Sequence, residues 1–219
     1  MCCGEIMNKI KRKNNKKKKT YDMIIANCIR IIMILCCINQ IFLRKYMDAF
    51  NAFLCIVITY LPALISKKAM YLPRFLQAVM MIFVFLSMYL GEINRFYAKI
   101  PGFDKFLHTS SGLILGVIGF IFVYTINGNK NVGVKLSPLF ACIFAFTFAV
   151  TAGAMWEIYE FSCDQMFNWN MQNWKATGVE DTMWDIIVDT IGALACSIIG
   201  YFYIKKEESK KKLNKAKVD

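Results

Sequence analysis

Residues 106–125 read FLHTSSGLILGVIGFIFVYT, and this stretch decides the fold. It is apolar over most of its length and contains a single ionisable group apart from one tyrosine, the imidazole of His108. An α-helix needs about 20 predominantly apolar residues to cross the hydrocarbon core of a bilayer. The sequence therefore predicts an all-α integral membrane protein with about six transmembrane helices, since five further apolar runs occur at 23–43, 47–66, 72–91, 136–162 and 183–204.

Composition and charge exclude the soluble classes. Hydrophobic residues make up 57% of the chain, against about 45–50% in soluble globular proteins. Of the formal net charge of +12, residues 1–19 carry +7 and residues 205–219 carry +4. An apolar middle between basic ends excludes a nucleic-acid-binding domain with a basic face. The segments 1–22 and 205–219 are predicted to be basic cytoplasmic tails that contact anionic lipid. The bilayer is thus the predicted partner, and the sequence identifies no protein partner.

The nine cysteines exclude two further classes of protein. Most of them lie inside apolar runs, where a free Cys behaves as a small hydrophobic residue. The number is odd and no two have CxxC spacing, so neither a disulfide scaffold nor a zinc knuckle is indicated.

The distribution of Lys and Arg predicts the orientation. The loops near 67–74 and 130–135 fall on the side of the tails, and those near 44–45, 95–105 and 163–182 fall on the other. These loops are nearly balanced in charge, so the tails decide, and both termini are predicted to be cytoplasmic. All four tryptophans then lie near the outer interface, as aromatic residues of membrane proteins commonly do. The 22 lysines against 5 arginines are typical of an AT-rich bacterial coding sequence, so we expect the bacterial cell membrane.

The two halves of the apolar region differ in character. Residues 23–91 are predicted to form three apolar helices rich in Ile, Leu, Met and Phe. Residues 92–204 carry small residues at four-residue spacing, which lets helix backbones approach closely in lipid. We therefore expect the last three helices, with an outer loop at 163–182, to form a bundle packed through Gly112, Gly116, Gly153, Gly192 and Gly200.

Acidic residues follow the same helix faces. With 3.6 residues per turn, residues four and seven apart share one face of a helix. Each of the last three helices thereby aligns carboxylates with its small residues, and the first of them adds the only histidine. We expect a single outward-facing polar pocket or metal site formed by Asp104, His108, Glu157, Glu160, Asp164, Asp181, Asp185 and Asp189.

Two interpretations of this pocket remain open, a functional site and a structural hydrogen-bond network. A charge placed inside the bilayer costs about 2.5–3.5 kcal/mol even on the more lenient scale, so such groups are kept neutral, paired or bound to a ligand. We expect at least one carboxylate to pair with His108 or Lys105. We also expect the three helices to face one another across a shared axis with their polar pairs, which are Asp104 and His108, Glu157 and Glu160, and Asp185 and Asp189.

Three motifs in the last three spans resemble a known family. Residues 104–108 match D-K/R-x-x-H, residues 156–160 match W/Y-E-x-x-E, and residues 181–193 match D-T-x-x-D…G-A. In this order, within residues 90–204, they resemble the YjdF-like family of uncharacterised bacterial multispanning inner-membrane proteins. The resemblance implies membrane placement and a shared polar core, without a particular activity.

A weaker likeness connects the same residues with VanZ-like membrane proteins. Those proteins share D-K-x-x-H and a closing D-x-x-x-N/D-x-x-G pattern, which residues 104–108 and 185–192 match. They are associated with glycopeptide resistance and the cell envelope. The likeness implies that an envelope component is one class of ligand for the pocket.

The ligand chemistry of the pocket leaves three functions open. Carboxylates are hard oxygen ligands suited to Mg²⁺, Mn²⁺ or Ca²⁺, and a histidine also admits Zn²⁺ or Fe²⁺. One function is a binding protein for a divalent cation, a lipid headgroup or an envelope component. A metal-dependent intramembrane enzyme acting on a lipid-linked substrate and a small ion-coupled transporter are the alternatives. No hydrolase, phosphatase or metalloprotease motif is present, so the sequence assigns no catalytic residue.

Overall fold

A computed structural model describes residues 24, 26–68, 72–127 and 136–215 of the 219-residue chain. These residues form helices joined by short turns, and the described part of the chain contains no β-strand. The predicted all-helical class is therefore confirmed for these residues. The predicted basic tail at 1–22 and the last residues, 216–219, lie outside the described residues.

The chain divides into two compact units, Met1–Lys99 and Ile100–Asp219. The first unit contains α1 to α5, and a π-helical segment directly continues α4. Thr59 and Tyr60 form a turn that separates α2 from α3 inside one predicted span. The bounds are Ala26–Phe42 for α1, Tyr46–Ile58 for α2, Leu61–Lys68 for α3, Arg74–Val84 for α4, Phe85–Ile93 for the π-helical segment and Phe96–Lys99 for α5.

The core of the first unit is built from side chains of mixed size. Met33 of α1 and Ala52 and Cys55 of α2 are completely buried and pack with Met81 of α4. Arg30 of α1 is half-buried, and its guanidinium donates hydrogen bonds to the carbonyl and hydroxyl oxygens of Thr59 and to the side-chain oxygen of Asn27. The charge of Arg30 is thus satisfied by uncharged oxygens, two of which belong to Thr59 at the end of α2.

The second unit is a bundle of three long helices. It contains α6 (Phe103–Asn127), α7 (Pro138–Phe167), the short α8 (Trp174–Thr177) and α9 (Glu180–Lys215). Ser137 caps α7 by accepting a hydrogen bond from the backbone N–H of Phe140. α6, α7 and α9 pack against one another in all three pairs, with α6 and α9 running in the same direction and α7 running opposite.

Small residues allow these helices to approach closely. A Cβ atom at Gly112 of α6 would overlap the backbone oxygen of Asp189 in α9, and one at Gly192 of α9 would overlap the backbone oxygen of Thr109 in α6. A Cβ atom at Gly119 would lie 2.8 Å from the Cα atom of Ala145 in α7. Backbone thus meets backbone across the bundle, which larger residues at the glycine positions would prevent.

Five helical segments among the described residues are long and apolar enough to cross a membrane. The first predicted span corresponds to the shorter apolar helix α1, and residues 23 and 25 of that span lie outside the described residues. Six spans therefore stay a prediction. The five long segments are Tyr46–Ile65, Arg74–Ile93, Phe103–Ile126, Pro138–Phe167 and Glu180–Lys206.

Candidate metal centre

The candidate site lies where the first turns of α6 and α9 meet the last turns of α7. We call this region the acidic end of the bundle, and it contains Asp104 to Ser111, Glu157 to Asp164 and Asp181 to Asp189. The small residues of the three helices bring the polar side chains together. A Cβ atom at Gly153 of α7 would overlap the carboxylate of Asp189, so this glycine provides the space that the Asp189 side chain fills.

His108 is held in one orientation by Asp189. The imidazole Nδ1 lies 3.2 Å from Asp189 Oδ2, and the other carboxylate oxygen of Asp189 accepts a hydrogen bond from the hydroxyl of Ser111. An ionised carboxylate only accepts hydrogen bonds, so Nδ1 is the donor in this contact when Asp189 is ionised. The lone pair of a neutral His108 is then on Nε2, and the ring directs it away from Asp189.

Three carboxylate oxygens surround that nitrogen. His108 Nε2 lies 3.7 Å from Asp104 Oδ1, 3.8 Å from Asp185 Oδ1 and 3.9 Å from Glu157 Oε1. All three distances exceed that of a normal hydrogen bond. The three carboxylates come from three different helices, so the bundle itself sets their separation.

Glu157 contributes an oxygen that its protein surroundings do not satisfy. The residue is only 4% exposed, and its Oε1 atom, which faces His108, has no hydrogen-bond partner among the described residues. Its second oxygen, Oε2, accepts a hydrogen bond of 3.3 Å from the Gln172 side chain, which also donates to the Glu157 backbone oxygen at 3.2 Å. A buried carboxylate oxygen without a partner carries a large desolvation cost unless something binds it.

Lys105 supplies a positive charge beside the acids. Its Nζ atom lies 2.7 Å from Asp181 Oδ1, 2.8 Å from Asp185 Oδ1 and 3.4 Å from Asp104 Oδ2. One ammonium and one imidazole therefore stand among five carboxylates, those of Asp104, Glu157, Asp181, Asp185 and Asp189. Because carboxylates outnumber the ammonium and the imidazole, a further cation bound among them would be attracted by the remaining carboxylates.

Two other predicted pocket residues make different contacts. Both oxygens of Asp164 accept hydrogen bonds from the loop after α7, from the backbone N–H groups of Met171 at 2.7 Å and Gln172 at 3.1 Å. Glu160 accepts a hydrogen bond of 2.9 Å from the indole N–H of Trp156 on the same helix. Asp164 thus anchors the loop that carries Gln172 back to Glu157, while Glu160 pairs within α7.

The donor set is suitable for a divalent cation. One atom each from Asp104, His108 and Asp185 can be chosen so that all lie within 4.8 Å of one another. A mixture of imidazole nitrogen and carboxylate oxygens suits Mn²⁺, Fe²⁺ and Zn²⁺. The contact between His108 and Asp189 is the arrangement in which a carboxylate outside the ligand set orients a metal-binding histidine.

Sequence reasoning missed two residues of the site. Ser111 follows His108 by three residues and therefore lies on the same helix face, so its hydroxyl was detectable from spacing. Gln172 lies in a loop without periodicity, and its return to Glu157 depends on the hydrogen bonds that Asp164 makes with the loop backbone. No local sequence signal indicates that contact.

Comparison with known proteins places the chain in a family. It is 34% identical over 119 residues to an uncharacterized protein of Thermotoga maritima, and the match covers 54% of this chain and 57% of that relative. The chain thus spans little more than half the length of the curated relative it matches. No solved structure matches the chain. The model of the DUF2238 family, described as predicted membrane proteins, matches residues 23–206, and the chain belongs to that family.

Proposed function

We propose that the protein binds a divalent cation at the acidic end of its bundle, with His108, Asp104, Asp185 and Glu157 as ligands. The observation that carries the proposal is the position of His108 Nε2, which faces one carboxylate oxygen from each of these three acids at 3.7–3.9 Å. One of the three, Glu157 Oε1, is buried without a hydrogen-bond partner among the described residues.

The distances favour a shared ion over direct hydrogen bonds. Ligand atoms about 2.1 Å from a tetrahedral zinc ion lie about 3.4 Å from one another. The separations from Nε2 are a few tenths of an ångström longer than this. Ligand atoms of Asp104, His108 and Asp185 lie within 4.8 Å of one another, and Glu157 lies outside that group, so its side chain has to move furthest to join the coordination shell. A purely structural network would instead place donors within hydrogen-bond distance of Glu157 Oε1.

The ligand set also favours a class of ion. A histidine nitrogen is a poor ligand for Mg²⁺ and Ca²⁺, which prefer oxygen, whereas Mn²⁺, Fe²⁺ and Zn²⁺ accept both. The lack of a cysteine in the ligand set argues against Cu⁺. We therefore expect Mn²⁺, Fe²⁺ or Zn²⁺ rather than Mg²⁺ or Ca²⁺.

Elemental analysis of detergent-purified protein tests the proposal. The wild-type chain should carry a divalent ion in stoichiometric amount, and His108→Ala and Glu157→Gln should lose it. Asp48→Asn is the matched control, because Asp48 is a buried acid of the first unit. Added ion should also raise the melting temperature of the wild type by mass action, since it binds only the folded state. Absence of metal together with an unchanged melting temperature would contradict the proposal.

We further propose that the acidic end faces outward from a bacterial cell membrane, with six spans and cytoplasmic termini. The charge on the two basic tails supports this orientation, as does their fit to anionic inner-leaflet lipid. We infer that the YjdF-like resemblance of residues 90–204 and the DUF2238 match describe one family, with the segments 23–91 and 92–204 as its two parts.

Labelling of intact cells with an impermeant thiol reagent tests the orientation. A cysteine introduced at Lys175, which is exposed in the short helix α8 near the acidic end, should react, and one at Lys206, exposed towards the opposite end of α9, should not. The native Cys163 lies near the outer end of α7 in this orientation, but it is an unsuitable labelling site because its side chain is buried. The reverse labelling pattern would place the acidic end in the cytoplasm.

A further inference from the structure

We infer that Lys105 is an internal competitor for the cation, with its ammonium group binding Asp185 in the metal-free protein and leaving that carboxylate when the ion binds. This inference rests on the proposed cation site and adds a mechanism that regulates its occupancy. The ligand class is a divalent cation, and the competing group is part of the chain itself.

The ammonium of Lys105 and the proposed divalent ion would use the same carboxylate oxygen. Asp185 Oδ1 lies 3.8 Å from His108 Nε2, so it belongs to the proposed ligand set, and it also lies 2.8 Å from Lys105 Nζ. The Asp185 side chain is only 6% exposed, so water has little access to separate the two charges. An ion bound to this oxygen at about 2.1 Å would stand about 4 Å from the ammonium.

Asp181 offers the ammonium a second position. Its Oδ1 atom lies 2.7 Å from Lys105 Nζ, one helical turn of α9 nearer the end of the bundle than Asp185. Lys105 and Asp181 are also more exposed than Asp185, at 30% and 23% of their side chains. The ammonium can therefore remain paired with Asp181 while it moves away from the inner carboxylate.

Charge repulsion supplies the coupling between the two cations. A unit positive charge and a divalent ion about 4 Å apart repel strongly in a partly buried site, where the effective dielectric constant is well below that of water. The bound ion therefore favours the outer position of Lys105, and Lys105 in its inner position weakens binding of the ion. The Oε1 atom of Glu157 faces His108 and has no hydrogen-bond partner among the described residues, so the ammonium of Lys105 does not satisfy this part of the proposed ligand set.

A supporting role for Lys105 would give the opposite sign. If the ammonium served to hold Asp185 in the geometry that the ion needs, then its removal would weaken metal binding. If it contributed only to folding, then its removal would lower stability and leave the affinity unchanged. The direction of the change in affinity therefore separates competition from both other roles.

Titration of the purified full-length protein with Mn²⁺ measures whether removal of the Lys105 ammonium raises or lowers the metal affinity. Lys105→Met should bind Mn²⁺ roughly tenfold more tightly than the wild type or better. Lys175→Met is the matched control, since Lys175 is an exposed lysine that packs over the Trp174 ring, and its affinity should equal that of the wild type. An unchanged or weaker affinity in Lys105→Met would overturn the inference while the wild type still binds. A lack of Mn²⁺ binding by wild type and variant alike would instead overturn the proposed site as well.

A second measurement needs no variant, so it holds if Lys105→Met does not fold. The wild-type protein is treated with an amine-reactive reagent with and without Mn²⁺, and modification of each lysine is followed by mass spectrometry. Metal should increase the modification rate of Lys105 severalfold, because the ammonium is released from the buried Asp185, and should leave that of Lys175 unchanged. Unchanged or slower modification of Lys105 in the metal-bound protein would overturn the inference.

Discussion

The two units of the chain place polar groups inside an apolar surrounding in different ways. In the first unit the half-buried Arg30 is satisfied by the oxygens of Thr59 and by the ring of Tyr60, 3.9 Å from its guanidinium carbon. The buried Asp48 has the largely exposed Arg95 as its partner. In the second unit the buried acids Glu157 and Asp185 come from different helices and surround one histidine.

The difference follows from how closely the backbones approach. The first unit packs through side chains of mixed size, with Met33 and Met81 beside Ala52 and Cys55. The second unit packs through glycines, so that α6 and α9 meet backbone to backbone. Close packing holds the first turns of these helices in a fixed relation, and short acidic side chains then converge on one point.

The largest effect should come from filling the backbone contact of the second unit. Gly192→Val places a side chain against the carbonyl oxygen of Thr109, which cannot move without separating α6 from α9. We expect a loss of about 3 kcal/mol in the free energy of unfolding. Gly91→Ala in the first unit should cost about 1 kcal/mol or less, since its Cβ meets only the outer atoms of the Tyr97 ring. Denaturation in detergent measures both, and equal losses would remove the distinction between the units.

The next effect concerns buried acids. Asp189→Ala should cost about 2 kcal/mol, because it leaves His108 Nδ1 without its partner, while the Ser111 hydroxyl can still donate to the His108 backbone oxygen at 2.7 Å. Asp48→Ala in the first unit should cost less than about 1 kcal/mol, since its partner, Arg95 at 3.5 Å, has a largely exposed side chain. The same denaturation experiment measures both. A larger loss for Asp48→Ala would show that an isolated acid matters more than the cluster.

The effect of Glu157→Gln on stability should reverse when metal is added. In chelator the variant should be more stable than the wild type by about 1 kcal/mol, because it removes the charge from a buried carboxylate with one unpartnered oxygen, while the hydrogen bond with Gln172 remains possible. In Mn²⁺ the wild type should be the more stable protein, since it alone retains the complete ligand set. Melting curves in the two conditions make the comparison, and a constant order of stability would argue for a structural network.

The smallest effect should come from hydroxyl groups. Ser197→Ala removes a buried hydrogen bond of 3.2 Å from α9 to the Cys142 carbonyl of α7 and should cost about 0.6 kcal/mol. Ser87→Ala in the first unit should cost almost nothing, because that hydroxyl donates to the Val84 carbonyl within its own helix. Denaturation curves with matched baselines resolve the difference, and an equal cost would indicate that hydrogen bonds between helices add nothing here.

Local sequence patterns predict the helical class and much of the bundle. Apolar runs determine which segments become long helices, and the 3.6-residue period places Asp104 with His108 and Asp185 with Asp189 on their helix faces. The contact of His108 with Asp189, and the three carboxylates around its Nε2, agree in direction with those faces.

Contacts that depend on tertiary structure could not be predicted in this way. Asp164 shares a helix face with Glu157 but lies about 10 Å further along α7, where the returning loop takes both of its oxygens. The turn at Thr59 and the π-helical segment Phe85–Ile93 interrupt runs whose overall composition is apolar. A hydropathy pattern does not reveal such interruptions, because it records the polarity of side chains and not the backbone geometry.

The shared direction of α6 and α9 has a consequence for the charge of the backbone itself. Each helix N-terminus carries about half a positive elementary charge from its aligned peptide dipoles, and each C-terminus carries the opposite. Two N-termini and one C-terminus meet at the acidic end, and Asp104 and Asp181 lie in the first turns of α6 and α9. The peptide dipoles therefore favour carboxylates at this end and lysines such as Lys205 and Lys206 towards the other, so the charge asymmetry of the side chains repeats one already present in the backbone of the bundle.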